Sequence, residues 1–104
     1  MRVELLWSAG CPHYRAARAL IDEVAAALRL APAVEEIGVE DEATGRRLCF
    51  PGSPTIRVDG VDVEPGWEPC ADCTPRCRVY GTEAGLRGLP ERGWVERALV
   101  RAAG

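Results

Sequence analysis

Apolar residues fall along the chain in patterns of different period. Val3, Leu5, Leu6 and Trp7, with Glu4 among them, make a short run with β-branched and aromatic ends, which predicts a buried strand over 3–7. Ser8-Ala9-Gly10 breaks the run. Ala17, Leu20, Ile21, Val24, Ala25 and Leu28 then recur every three or four residues, one apolar stripe of a helix over 12–30, with Arg15, Arg18, Asp22, Glu23 and Arg29 off the stripe. Pro12 suits a first helical position and Pro32 is expected to stop the helix. Residues 34–39 alternate in part and predict a second strand, and 41–48 a short polar helix. Residues 55–58 and 61–63 alternate on either side of Asp59-Gly60, a pair suited to a tight hairpin turn. Trp94, Val95, Ala98, Leu99 and Ala102 give the inner side of a last helix over 91–102, entered through Pro90.

Strand, helix and strand in fewer than forty residues form a βαβ unit, with parallel strands and a right-handed crossover. The whole reads as one α/β domain over 1–104. The stretch 64–89 is too long for an ordinary connection, so it is either functional or held by its own cross-links.

A length of 104 residues, 47% of them hydrophobic and 28% charged, suits a single globular domain. No run of about 18 apolar residues is present, and the N-terminal residues lack the basic and apolar regions of a secretion signal, so the cytoplasm is expected. A formal charge of −3 with interspersed signs offers no electrostatic footprint for nucleic acid or an anionic membrane. The basic residues are all arginine apart from His13.

Five cysteines change the picture. Cys11, Cys49, Cys70, Cys73 and Cys77 are many for a short chain in a reducing compartment, where they point to redox or metal chemistry before structural staples. Their odd number leaves at least one thiol free in a monomer. Cys11 stands where a strand gives way to a helix, and unpaired N–H groups at a helix N-terminus favour a thiolate. Neighbouring His13, the one histidine, adds an imidazole that can stabilise it further, against the plainer reading of a solvent-facing side chain on the first turn. Cys70, Cys73 and Cys77 have the spacing Cys-x-x-Cys-x-x-x-Cys, three possible ligands of a tetrahedral zinc or another soft metal, with no neighbouring fourth. A redox reading of the same cluster makes Cys73 or Cys77 the partner of Cys11, or pairs Cys70 with Cys73. Cys49 is expected to be a small buried residue. Trp7 and Trp94 belong to core faces, and Trp67 is placed to cover the cysteine loop.

The order β-α-β-α-β-β-α, with Cys11-Pro12-His13-Tyr14 at the first helix and Ser53-Pro54-Thr55 before the third strand, resembles the thioredoxin fold over 1–63 and 90–102. The resemblance implies a mixed sheet of about four strands, flanking helices and a Cys-rich insertion over 64–89. It also implies a cis Ser53–Pro54 bond near the Cys11 sulfur, Cys11 as nucleophile, and Ser53, Pro54 and Thr55 lining a substrate groove. The Pro12-His13 pair is similar to that of strongly oxidising members. Tyr14 departs from the pattern, because it occupies the place of the usual resolving thiol. The stretch from Gly52 to Gly60, with Cys77-Arg78-Val79-Tyr80, is also similar to small bacterial thioredoxin-like proteins labelled alkylmercury-lyase-like. That likeness suggests mercury chemistry on Cys11 and a loop cysteine, with Asp72 as proton donor.

Three functions follow as expectations. The first is a thiol–disulfide oxidoreductase with Cys11 as nucleophile, assisted by Pro12 and His13, and a loop cysteine, foremost Cys77, as resolving thiol. It needs no cofactor and takes a thiol or disulfide substrate, including a protein. The second is a carrier of a soft metal ion, mercury or zinc, on Cys70, Cys73 and Cys77. The third is a scaffold whose groove at Pro54 accepts an extended peptide.

Overall fold

The computed structural model describes residues 1–68 and 75–104. Its elements are β1 (Arg2–Trp7), α1 (Tyr14–Ala27), β2 (Ala33–Gly38), α2 (Glu42–Leu48), β3 (Thr55–Val58), β4 (Val61–Asp62), β5 (Tyr80–Thr82), β6 (Gly85–Arg87) and α3 (Arg92–Ala103). The first four strands form one mixed sheet in the order β2-β1-β3-β4. β1 runs parallel to β2, with Val3 opposite Val34, and antiparallel to β3, with Leu5 opposite Ile56. β3 and β4 form the hairpin expected at Asp59-Gly60, where both turn residues have positive φ (49° and 84°), the geometry of a type I′ turn.

Alternation along β1 sends Val3 and Leu5 to one face of the sheet and Leu6 to the other. The larger core joins Val3, Leu5, Ile56 and Val58 to Ala17, Ile21 and Val24 of α1 and to Val95 and Leu99 of α3, so these two helices share a face. The smaller core packs Leu6, Val39 and Phe50 under α2. Both apolar stripes legible in the sequence are the buried ones. Trp7 and Trp94 are half-buried: Trp7 lies against the Tyr14 ring (4.4 Å between centroids), and Trp94 packs on the larger core beside Tyr80 (6.3 Å).

Three expectations are corrected. The first helix spans Tyr14–Ala27, not 12–30, so Pro12 lies in the turn before it and His13 is its N-cap residue. Pro32 does not end it either. Arg29 turns left-handed (φ 56°), its N–H bonds to the Ala26 carbonyl (3.1 Å), and the Leu30 N–H reaches Ala25 (2.9 Å), which is a Schellman termination. α2 ends in the same way, with Cys49 left-handed (φ 49°), its N–H on Arg46 (3.2 Å) and the Phe50 N–H on Gly45 (2.9 Å). The second correction follows: Cys49 is exposed, not buried, because the motif turns Phe50 into the core. Third, 64–89 is not all connection, since β5 and β6 pair in a hairpin with Tyr80 opposite Arg87.

Asp41 caps α2 by accepting from the Thr44 N–H (2.7 Å), a bond that lowers its carboxyl pKa. The exposed left-handed residues at the two helix ends generate a test. Arg29→Gly and Cys49→Gly should each stabilise the fold, because glycine adopts this conformation without a Cβ penalty, by about 0.5–1 kcal/mol. Urea denaturation measures it, and a loss of stability in both variants contradicts the assignment of these termini.

Candidate functional site

Ser8, the first residue after β1, holds together the segments that carry the candidate residues. Its N–H donates to Ser53 Oγ (3.0 Å), and its carbonyl accepts from the Cys11 N–H (3.2 Å). The turn bearing Cys11 and the loop bearing Ser53 therefore hang on one residue at the carboxyl end of a central strand, the edge at which open α/β sheets hold their sites. Ser53–Pro54 is cis.

On its other side Ser53 meets the segment that enters β5. Its N–H donates to the Arg76 carbonyl (2.6 Å), and its own carbonyl accepts from the Arg78 N–H (2.8 Å), a parallel bridge that sets Cys77 opposite Ser53. Burial alternates along 77–80 as in a half-buried strand: Cys77 and Val79 are exposed, Arg78 and Tyr80 buried.

Arg78 anchors the segment. Its side chain is only 6% exposed, and its guanidinium is shared between Asp62 (2.7 and 3.1 Å), Glu64 (2.7 Å) and Thr55 Oγ1 (3.1 Å). It also lies over the Tyr80 ring (4.3 Å to the centroid). Burial opposes its charge, but the hydrogen bonds to Asp62 and Glu64 and the surrounding negative charge leave its pKa raised. The Tyr80 hydroxyl donates to the Pro54 carbonyl. Gly52 (φ 137°) lets the backbones meet, since a Cβ there would sit 2.8 Å from Arg78 Cβ and 3.0 Å from its Cα.

The other candidates take the following places. Cys11 is half-buried, and Cys11, Cys49 and Cys77 are all free thiols. Pro12 is exposed in the turn. His13 is half-buried against Gly88, where a Cβ would collide with the imidazole, and with Arg87, Leu89 and Glu91 it lines a cavity of about 320 Å³. Tyr14 donates to the Glu36 carboxylate, which raises its pKa, so the departure from a second thiol fastens α1 to β2. Ser53, Pro54 and Thr55 are buried, and Thr55 Oγ1 donates to the Gly52 carbonyl (2.6 Å). Cys70, Asp72 and Cys73 lie outside the described residues. Among the described residues no group of three or more His, Cys, Asp or Glu is placed to hold a metal ion, and no helix is long and apolar enough to cross a membrane.

From the sequence Ser8 is only part of the break after the first strand, and Arg78 and Tyr80 enter only through a likeness. A signal was present: Arg78 and Tyr80 recur with period two, and Asp62 and Glu64 do likewise, so two facing pairs were legible as pattern if not as contact. Compared with models of known protein families, with curated proteins and with solved structures, the sequence matches none.

Two tests follow from the Arg78 cluster. Arg78→Met leaves the Asp62 carboxylate buried without its partner and should cost about 3–5 kcal/mol, much of it restored by adding Asp62→Leu, as a denaturation cycle would show. A double variant no more stable than Arg78→Met would refute the pairing.

The second concerns pH. Burial pushes the Tyr80 hydroxyl well above the ordinary tyrosine range, with the Arg78 guanidinium opposing and the nearby carboxylates adding to the shift. A pKa raised in the folded state leaves stability intact below the unfolded value of about 10 and removes it as pH rises beyond. In Tyr14→Phe, where Tyr80 is the remaining tyrosine, phenolate absorbance should appear only together with alkaline unfolding. Absorbance that rises near pH 10 in the folded protein would contradict the burial.

Proposed function

We propose that this chain is a thioredoxin-like thiol–disulfide exchange protein in which Cys11 is the nucleophile and Cys77 the resolving thiol. One observation carries the reading: Ser8 and Ser53 link the turn of Cys11 to the strand of Cys77 through consecutive hydrogen bonds, with both cysteines free. The strand order β2-β1-β3-β4, with β1 parallel to β2 and antiparallel to β3, also suits the thioredoxin-like part of the proposal.

The chemistry balances without a cofactor. The Cys11 thiolate attacks one sulfur of a disulfide R–S–S–R, forming Cys11–S–S–R and releasing one thiolate RS⁻. The Cys77 thiolate then attacks Cys11 Sγ, expels the second RS⁻ and leaves a Cys11–Cys77 disulfide. Two electrons pass from the protein thiols to the substrate. The reverse sequence oxidises two thiols.

Tyr14 occupies the place where a resolving thiol would precede the second helical turn, and its bond to Glu36 gives it a structural task. The resolving role therefore falls to a residue distant in sequence. Cys77 is the candidate whose backbone is anchored beside Ser53, and its exposed side chain is open to exchange. His13 lies two residues beyond Cys11 and stands in the turn before α1, where it can take up or release the exchanged proton. Free thiols of this kind persist in a reducing compartment, so we assign the protein to the cytoplasm.

Mild oxidation followed by non-reducing peptide mapping tests the pair. The expected product is a Cys11–Cys77 disulfide, and Cys77→Ser should instead accumulate Cys11 as a mixed disulfide with added glutathione. A Cys11 that stays reduced in oxidant while other cysteines pair overturns the assignment.

A further inference from the structure

A disulfide can reach a protein thiol on a small molecule or on a polypeptide. A polypeptide commonly docks by adding a strand to an exposed backbone edge, taking affinity from main-chain hydrogen bonds. The loop held to Cys11 through Ser8 offers such an edge at Ser53, but neither of its main-chain groups is open. The N–H is given to Arg76 and the carbonyl to the Arg78 N–H. The chain's own segment 76–78 sits where an incoming strand would pair.

The segment is also fastened by more than those two bonds. Displacing it would withdraw the guanidinium from Asp62, whose side chain is 1% exposed, and from Glu64 and Thr55. It would separate the Tyr80 hydroxyl from the Pro54 carbonyl. The glycine at position 52, with Arg78 packed where a Cβ would go, shows the loop shaped to this neighbour. An arriving peptide could replace the two main-chain bonds and none of the side-chain ones, so exchange of one strand for the other is unfavourable.

We infer that the segment 76–78 is a built-in occupant of the docking edge beside Cys11 and confines the protein's disulfide substrates to small molecules of the glutathione class. The inference rests on the thiol-exchange reading above. Cys11 remains half-exposed behind exposed Pro12, and Cys77 faces solvent from the occupying strand. A compact disulfide needs only that access, whereas an extended chain also needs the edge. On this inference the peptide expected from the sequence at Pro54 gives way to the protein's own segment, which carries Cys77.

Two measurements on the full chain test this separately. Amide hydrogen exchange at Ser53 and Arg78, followed by NMR, reports occupation of the edge without any redox chemistry. Both amides should exchange more than about 100-fold slower than in an unstructured peptide, and less protection at either means that the segment leaves the edge and overturns the inference. The second measurement compares the reaction rate of reduced protein with glutathione disulfide and with the disulfide dimer of a short extended peptide carrying one central cysteine. Each rate is divided by that of free cysteine with the same disulfide. The normalised rate should be at least about tenfold lower for the peptide dimer, and Cys11→Ser should abolish both reactions. A peptide rate equal to or above that of glutathione overturns the substrate class while the exchange reading stands. Reaction with neither disulfide overturns the exchange reading and the substrate class with it, and the amide protection still reports whether the edge is filled.

Discussion

The buried guanidinium of Arg78 is the interaction on which the loops at the carboxyl end of β1 depend. It ties the segment entering β5 to the end of β4 through Asp62, to the following residue pair through Glu64, and to the start of β3 through Thr55. A charge so deeply placed is tolerated only because its bidentate carboxylate, a second carboxylate and a hydroxyl meet its donors in the planar geometry that arginine presents and lysine does not. Tyr80 then covers the cation with its ring and extends its hydroxyl to Pro54. Among the described side chains no buried nitrogen or oxygen is left without a partner, so the cluster is satisfied as well as dense. The energetic logic is asymmetric: the pair contributes modestly to net stability, yet removal of either member is severe. Such an element gives position more than strength.

Position is what the loop before β3 requires. Residues 51–56 are all buried although 51–54 belong to no strand of the main sheet, so their peptide groups need partners from elsewhere in the chain. The 76–78 segment supplies both for Ser53, Thr55 Oγ1 supplies one for the Gly52 carbonyl and the Tyr80 hydroxyl one for the Pro54 carbonyl, while Ser8 holds the Ser53 side chain from the β1 side. The hairpin of β5 and β6 follows as the continuation of that segment, folding back so that Gly88 comes under the His13 ring and Glu91 receives the Glu83 N–H (2.6 Å). What reads as a long connection is thus a third layer of contacts over the end of the sheet. It closes around the residues that a thiol-exchange site would use.

The parts of the fold that depend on local or periodic information were legible in the sequence. β1, both apolar helix stripes and the Asp59-Gly60 hairpin follow from burial period and turn chemistry, and the structure keeps each of them. The bounds of α1 were less legible, for a physical reason. It stops at Ala27 with a left-handed Arg29 where glycine or asparagine normally gives the signal, whereas α2 ends at Leu48, where the sequence placed it, although Cys49 is left-handed too. The β5–β6 hairpin was missed because its strands are three residues each and its turn, at Glu83-Ala84, lacks the usual asparagine or glycine. Burial of Arg78 was illegible for a different reason. A charged residue in a glycine- and proline-rich stretch reads as solvated until its two carboxylate partners, sixteen and fourteen residues earlier, are known to face it.

The candidate site divides in the same way. Cys11 could be singled out from its place between strand and helix, but not the segment that crosses the Ser53 loop. Spacing alone groups Cys70, Cys73 and Cys77 as one cluster. Of the three only Cys77 is among the described residues, and the bridge to Ser53 and the alternation of Arg78 and Tyr80 hold its backbone in place. Position 14 makes the converse point. A tyrosine there is a deficit when compared with a dithiol motif, yet its hydroxyl on Glu36 and its ring on Trp7 fasten the first turn of α1 to the parallel strand pair. In the exchange reading proposed above, with the local position devoted to rigidity, the second thiol comes from a segment anchored by other means, and the Arg78 cluster is such an anchor. Arg78 and Cys77 are adjacent residues: one fixes the segment, and the other is what the segment presents.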